Sequence, residues 1–299
     1  MIENRTDLAL EAREQFPEDD VEIKGVKLTK VRLDKPLAML TTIEIMDEHG
    51  SKCMQKPIGK YITIEAGKME EEEAVEISSQ VAQCIRDLTG DLTGKKILVA
   101  GLGNRNTTPD ALGPRVLDKI QISRHIIKEF GQDVIPQESV SSIAPGVMAQ
   151  TGMESVDILL GIVEKTKPDI LIVVDALAAR SMKRLNTTIQ LCDGGISPGS
   201  GIGNNRKELN EKTFGIPVIA IGVPTVVDAR TIVNDILEET LKGQGYNDQE
   251  IESFIKSFGT DELCDMFVTP KDVDEEIETI SNIVAEGLNR CFIREEQHA

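Results

Sequence analysis

Residues 97–110 read ILVAGLGNRNTTPD and residues 170–177 read ILIVVDAL. Each opens with a short, unbroken apolar run, which is typical of a parallel strand that is buried on both faces of its sheet. Shorter runs of the same kind occur at residues 189–192 and 218–221. Helical patterns separate or follow these runs, and strands that alternate with helices indicate right-handed βαβ units. We therefore predict an α/β fold with a mostly parallel central sheet and helices on both faces.

The chain upstream of residue 97 has a different pattern. β-rich runs at residues 21–28, 36–46 and 60–65 predict an antiparallel meander, and DEHGS at residues 47–51 predicts a turn within it. A helix follows, because apolar residues recur at helical spacing until Gly90 ends it. This part of the chain is therefore expected to be β-rich, with one long helix.

Helices are also predicted downstream, and they complete the division of the chain. They cover residues 153–165, 230–241 and 270–290. The last of them has Thr269 as its expected N-cap and Pro270 at its first position. We expect a β-rich N-terminal region over residues 8–92 and an α/β core over residues 93–299, the two forming one integrated unit.

Charge and composition exclude several classes of protein. The 299 residues include 33 Lys and Arg against 51 Asp and Glu, a formal net charge of -18. Nucleic-acid affinity comes mostly from cations that neutralise phosphates, so we expect no direct nucleic-acid partner, and anionic membranes should repel the chain. No apolar run approaches the roughly 18 residues of a membrane span, and residues 1–20 lack the apolar segment of a signal peptide. The five cysteines form no CxxC pair, which is typical of reduced thiols in a cytoplasmic protein.

Two aspartates follow the principal apolar runs. Asp110 comes after a glycine turn, at the start of a predicted helix, and Asp175 is expected directly after its strand. In open α/β sheets, ligands bind beyond the carboxyl ends of the strands. Each aspartate alone is compatible with a helix cap or a loop carboxylate. Held close together, two carboxylates repel, so that one keeps its proton and the pair offers an acid and a base, or alternatively holds a metal ion.

Histidine is too scarce to supply this chemistry. The chain has only His49, His125 and His298, and none lies near the predicted strand ends. Ser197, in GISPG at residues 195–199, formally matches a nucleophile elbow, but Pro198 and the glycines after it prevent the helix that this motif requires. Acid and base catalysis therefore falls to carboxylates, with Lys or Tyr as alternatives.

The glycine turn GLGNRN at residues 101–106 only approaches a dinucleotide-binding fingerprint. The third glycine is absent, and no clear acidic partner follows about 20 residues later. The glycines are better explained by a sharp turn and close backbone packing.

Five longer motifs together resemble the germination proteases of spore-forming bacteria. They are RTDLALEAR at residues 5–13, AGLGNRNTTPDALGP at 100–114, IAPGVMAQTGMES at 143–155, DALAAR at 175–180 and GISPGSGIGN at 195–204. The resemblance covers nearly the whole chain. It implies an atypical aspartic-type endopeptidase that initiates degradation of small acid-soluble spore proteins, with a fold similar to that of the hydrogenase maturation proteases. The two aspartates proposed as catalytic in the family fall on Asp110 and Asp175.

The resemblance also implies a zymogen that removes its own N-terminal segment. Residues 1–7 would be the propeptide, with the cut between Asp7 and Leu8. The family cleaves after Glu or Asp and before an apolar residue followed by Ala, and the chain departs from its pattern at Asn4, where an acidic residue is favoured. Members form homotetramers in the forespore or spore core, so self-association and a spore-protein substrate are expected, with no cofactor and no metal.

Three alternatives stay open at this stage. The oxyanion donors are assigned either to the turn with Gly101, Gly103 and Asn104 or to the loop with Gly199 and Gly201. The first rival function is a metal-dependent peptidase of the hydrogenase-maturation type. The second is a non-catalytic acidic scaffold that binds a basic partner.

Overall fold

The apolar run that begins at residue 170 forms an inner strand of a mixed sheet. A computed structural model of the chain describes residues 6–16, 23–67, 73–197, 199, 207–258, 263 and 266–293. Its strands are β1 Val26–Leu33, β2 Ala38–Ile45, β3 Gly59–Ala66, β4 Lys96–Gly101, β5 Ser139–Ile143, β6 Ile170–Ala179, β7 Thr188–Cys192, β8 Val218–Asp228 and β9 Phe267–Val268. They lie in the order β1-β2-β3-β7-β8-β6-β4-β5, and β9 pairs with β8.

Helices connect most of these strands. They are α1 Ala9–Glu14, α2 Glu48–Met54, α3 Ala74–Thr89, α4 Leu112–Leu117, α5 Arg124–Phe130, α6 Met148–Thr151, α7 Ser155–Thr166, α8 Glu211–Phe214, α9 Ala229–Gly243, α10 Asp248–Phe258 and α11 Val273–Phe292. Short 3-10 turns cover Thr108–Asp110 and Met182–Arg184. Among the described residues, no helix combines the length and apolar character needed to cross a bilayer.

The predicted α/β architecture is confirmed, and the sheet is mixed. β4 pairs in parallel with β5 and β6, and β6 pairs in parallel with β8. The meander β1–β2–β3 is antiparallel, as predicted, but its first strand covers Val26–Leu33 and not residues 21–28, because residues 24–25 form a turn. The meander joins the same sheet through antiparallel pairing of β3 with β7 and of β7 with β8. The connection from β6 to β7 contains only the 3-10 turn Met182–Arg184, which is too short to return the chain for a parallel strand.

Both faces of the sheet are covered by apolar helix surfaces. On one face, Ile77 of α3 and Leu288 of α11 pack with Val99 and Ile172 in the larger cluster. On the other face, Leu159 of α7 packs with Leu98 and Leu171. Alternate residues of β4 and β6 therefore face opposite layers, which explains why both strands are continuously apolar.

Several local predictions are wrong. DEHGS begins helix α2, because the Asp47 side chain accepts a hydrogen bond from the Gly50 N–H at 2.8 Å and caps it. β6 continues to Ala179, so Asp175 lies within the strand and not after it. Helix α11 begins at Val273, while Thr269, the expected cap, donates its hydroxyl hydrogen bond to the Thr225 carbonyl at 3.0 Å.

Candidate active site

Asp175 belongs to a lateral row of residues on one face of the sheet. In the strand register, Asp175 of β6 is opposite Gly222 of β8, and Gly222 is opposite Gln190 of β7. Registered neighbours point to the same face, and adjacent strands lie about 4.8 Å apart, so about 9.6 Å separates the backbones at Asp175 and Gln190. Gly222 carries no side chain between them. A Cβ there would lie 2.4 Å from the Leu177 side chain.

Asp110 reaches the same end of the sheet through the glycine turn after β4. A Cβ on Gly101 would lie 2.5 Å from the backbone of Gly113, so the end of β4 and the start of α4 are in direct backbone contact. Gly103 has a φ of 103°, and a Cβ there would lie 2.0 Å from the Asp110 carbonyl oxygen. The Asn104 N–H donates to Asp110 Oδ2 at 2.8 Å. These contacts fix the turn and orient the Asp110 carboxylate.

The structure brings the two predicted aspartates to one cavity. A cavity of about 370 Å³ is lined by Asp7, Asp110 and Asp175, among other residues. Asp175 is only 5% exposed, whereas Asp110 is half-buried. A buried and a partly exposed carboxylate on one cavity have unequal environments, which favours separate acid and base roles.

The glycine and amide groups predicted as oxyanion donors have different positions. Gly103 and Gly199 line this cavity. Gly101 packs against Gly113, and the Asn104 N–H is donated to Asp110 within its own loop. Gly201 lies outside the described residues. Their assignment as oxyanion donors stays a prediction.

Asp7, the residue before the predicted cut, lines the same cavity as the two aspartates of its own chain. β6 continues past its last pairing with β4, at Val174, and leaves backbone groups for another segment. Asp7 takes this place: its N–H donates to the Ala178 carbonyl at 2.9 Å, and its Oδ2 accepts from the Ala178 N–H at 2.9 Å. Leu8 is fully buried in an apolar cluster with Leu177 and Val227.

Two polar side chains that sequence reasoning missed hold the peptide on either side of Leu8. Lys56 Nζ donates to the carbonyl oxygens of Thr6 and Asp7, at 3.1 and 3.0 Å. Gln190 Nε2 donates to the Asp7 carbonyl at 3.3 Å, and its Oε1 accepts from the Ala9 N–H at 2.7 Å. A glutamine in the otherwise apolar run of β7 was the signal available for Gln190. No pattern marks Lys56.

Burial disfavours the charged form of Lys56. Desolvation lowers the pKa of this lysine below its ordinary value, and the nearby carboxylates of Asp7 and Glu11 act in the opposite direction. Of the surrounding groups, Asp7 does most to offset the desolvation of this ammonium group.

Helix α1, just after the predicted cut, is tied down by a buried carboxylate. Glu11 is 2% exposed and accepts hydrogen bonds from the N–H groups of Arg180 and Ser181, at 2.7 and 2.9 Å. Arg184 donates to Glu11 at 3.1 Å. Burial opposes the charged form of Arg184, but hydrogen bonds from its guanidinium to Glu14 and Glu65 outweigh this, so its pKa is raised. No sequence pattern predicted a helix in this segment.

Asp7 also lines a second, smaller cavity. It measures about 170 Å³, and Lys56, Gln190, Cys192 and Ser197 are among its lining residues. Desolvation raises the pKa of Cys192 to about 12, and its thiol donates to the Gly195 carbonyl at 3.2 Å. Cys192 is therefore a protonated thiol near neutral pH and a poor nucleophile.

Within the described ranges, no group of three or more His, Cys, Asp or Glu has the arrangement of a metal site. His49 and His125 are exposed and are not among the cavity-lining residues, and His298 lies outside the described residues.

Together, the fold and the two aspartates define an α/β protein with a cavity that is lined by a pair of carboxylates. Comparison with known proteins narrows this class: the family model "Peptidase_A25: Germination protease" matches residues 2–264. The chain belongs to the germination protease family, and its role is that of a protease in spore germination.

Curated relatives support the same family over almost the whole length. The chain is 42% identical to a germination protease of Caldanaerobacter subterraneus subsp. tengcongensis, covering 95% of this chain and 93% of the relative. It is 41% identical to that of Clostridium acetobutylicum, covering 95% and 94%. It is 37% identical to that of Bacillus cereus, covering 96% and 93%.

One solved structure is also similar in part. The [NiFe] hydrogenase maturation protease HycI from Thermococcus kodakarensis KOD1 matches with a TM-score of 0.35 and 17% identity, covering 69% of this chain and 98% of that chain.

Proposed function

We propose that the chain is a self-processing endopeptidase in which Asp110 and Asp175 share the acid and base roles. The observation that carries this proposal is the position of Asp7, which lines the same cavity as both aspartates of its own chain. The peptide that the family pattern marks for cleavage is therefore bound where the acid and base are. A scaffold without catalytic activity has no need for such a segment in such a place.

The hydrolysis of the Asp7–Leu8 bond would then proceed in two steps. One carboxylate of the pair takes a proton from a water molecule, whose oxygen attacks the Asp7 carbonyl carbon, and the π electrons move to the carbonyl oxygen. The tetrahedral intermediate re-forms its C=O bond and breaks the C–N bond, and the Leu8 nitrogen takes a proton from the protonated carboxyl. The products are a chain that begins with the Leu8 amine and a heptapeptide that ends in the Asp7 carboxyl group.

The same site would act on other chains once the leader has left. Substrates would be small acid-soluble spore proteins, cut after Glu or Asp and before an apolar residue followed by Ala. The protein would work in the cytoplasm of the forespore and the spore core, as a homotetramer. The hydrogen bond that the Ala178 N–H donates to the Asp7 carboxylate supports the preference for an acidic residue before the cut.

Intact-mass spectrometry of the full chain tests this proposal. Wild-type protein incubated at mildly acidic pH should lose residues 1–7 and gain activity on a spore-protein substrate, while the Asp175→Asn chain stays intact. A wild-type chain that stays whole, or that gains activity after trimming elsewhere, would show that the leader is not the switch.

A further inference from the structure

The carbonyl oxygen of Asp7 is the acceptor of two converging side-chain donors. Lys56 Nζ lies 3.0 Å from it and Gln190 Nε2 lies 3.3 Å from it. This oxygen belongs to the bond whose cleavage the proposed function requires, and it is the atom on which negative charge develops when water attacks. Donors within hydrogen-bond reach of that atom have the geometry of an oxyanion site.

Both donors are fixed by the structure around them. Gln190 is held in register within β7, and its Oε1 bond to the Ala9 N–H, at 2.7 Å, prevents rotation of the amide. Lys56 follows helix α2. The C-cap residue of this helix is Gln55, whose φ of 51° lies in the left-handed region. The Lys56 backbone is bonded through both its groups to Ser51: its N–H donates to the Ser51 carbonyl, and its carbonyl accepts from the Ser51 hydroxyl at 2.7 Å.

The environment of Lys56 strengthens its effect. Its ammonium group is partly desolvated, and electrostatic interactions in a water-poor site are stronger than in bulk water. The growing charge on the carbonyl oxygen compensates a cation that burial has left with too little solvation. Stabilisation would therefore be greater in the transition state than in the ground state, which is the condition for catalysis.

We propose that Lys56, assisted by Gln190, binds the carbonyl oxygen of the bond to be cut and stabilises the negative charge that forms on it. This inference rests on the proposed function, because it concerns the same bond and the same water attack. No proton is transferred by Lys56 in this step: the electron pair moves to the oxygen, is stabilised there, and returns when the C–N bond breaks.

The test compares first-order rates of self-cleavage in full-length variants. Lys56→Met should slow the release of residues 1–7 by about 10²–10³-fold, the loss typical of one oxyanion donor. Lys56→Arg keeps a cation there and should recover part of the rate. Lys52→Met, the same change at an exposed lysine in α2, is the matched control and should stay within about twofold of wild type.

A second variant and a second measurement separate catalysis from simple anchoring. Gln190→Glu keeps an acceptor for the Ala9 N–H but removes the donor, so it should also slow cleavage, and it decides the matter if Lys56→Met does not fold. Hydrogen exchange at the Asp7 amide reports docking, since that N–H donates to Ala178. Slow exchange together with lost cleavage supports the proposal, whereas exchange that rises in proportion to the lost cleavage would show that Lys56 only anchors the leader.

The outcomes distinguish failure of this inference from failure of the proposed function. Folded Lys56→Met or Gln190→Glu chains that cleave at the wild-type rate would overturn the inference alone. A wild-type chain that never releases residues 1–7, or an Asp175→Asn chain that still does, would overturn the proposed function and this inference with it.

Discussion

The two aspartates that are proposed as acid and base, Asp110 and Asp175, have different environments. Asp175 is enclosed within a buried strand, whereas Asp110 stands on a glycine-rich turn that orients it through the Asn104 N–H. Exchanging either carboxylate for an amide preserves volume but removes the ability to take or give a proton.

Asp110→Asn and Asp175→Asn should therefore each remove most of the proteolytic activity while the chain stays folded. General acid–base catalysis contributes about 10²–10⁴-fold, and each variant should lose at least that factor in turnover of a spore-protein substrate. His125→Gln, a change at an exposed histidine of α5, is the control and should leave turnover unchanged. Near-normal turnover by either aspartate variant would refute the assignment.

Cys192 gives a second prediction at this scale, because it lines the second, smaller cavity together with Asp7. With a pKa of about 12, roughly one thiol in 10⁴ is ionised at pH 8. Iodoacetamide at pH 8 should leave Cys192 unmodified by peptide mass mapping and the activity intact, while the less buried Cys53 reacts first. Rapid inactivation that tracks alkylation of Cys192 would point to a cysteine nucleophile instead.

At the scale of elements, the close contact between the end of β4 and the start of α4 positions Asp110. Gly101→Ala would place a methyl group 2.5 Å from the Gly113 backbone, which cannot move aside as a side chain can. We expect a loss of about 1–3 kcal/mol in the free energy of unfolding, and reduced activity as the turn shifts.

Gly161→Ala supplies the matched control for that substitution. Gly161 lies inside α7 with open space around it, so alanine should be neutral or stabilise the chain by up to about 1 kcal/mol. Urea denaturation of both variants measures the two effects. Equal stabilities would mean that the β4–α4 contact is looser than described.

Helix α1 depends on the ion pair between Glu11 and Arg184. Arg184→Met would leave the buried Glu11 carboxylate without its cation, although the Arg180 and Ser181 N–H groups would still bind it. Removing one partner of a buried pair costs about 3–5 kcal/mol, and we expect the lower end of that range from urea denaturation. The exposed pair of Arg105 and Asp118 is the control, where Arg105→Met should cost less than about 1 kcal/mol.

The elements also show what could be predicted from sequence. β4 and β6 were found because both faces of each strand are buried, which produces an unbroken apolar run. Asp110 and Asp175 followed from the rule that sites lie at the carboxyl ends of such strands. The polar segment at residues 47–51 led to a wrong prediction, because helix caps and turns use the same polar residues. The burial of Met54 distinguishes the helix from the turn, and local sequence does not show it.

Lys56 and Gln190 could not be predicted from the sequence, for a different physical reason. Their common feature is contact with Asp7, and that contact arises only when α2, β7 and the N-terminal segment are brought together by the sheet. The separation in sequence between Asp7 and Gln190 leaves no local spacing to recognise.

On the scale of the whole molecule, the chain is the proposed enzyme and, under the same proposal, its own first substrate. Asp7 is bonded to Ala178 and lines the same cavity as the two aspartates of its own chain, so self-cleavage should be intramolecular. The first-order rate constant should stay the same over a hundredfold dilution, measured by intact mass. A rate that falls in proportion to concentration would mean that a neighbouring chain makes the cut.

Glu11 anchors α1 just after the proposed cut, and this would make the processed protein a competitor of its own substrates. When residues 1–7 leave, the new amino terminus at Leu8 is still attached beside the cavity through α1. A segment attached in this way acts at an effective concentration that reaches the millimolar range, without any diffusion step. Product inhibition by the attached Leu8 terminus would thus follow from the fold. Turnover would depend on how often this terminus dissociates from the cavity and allows a spore protein to bind.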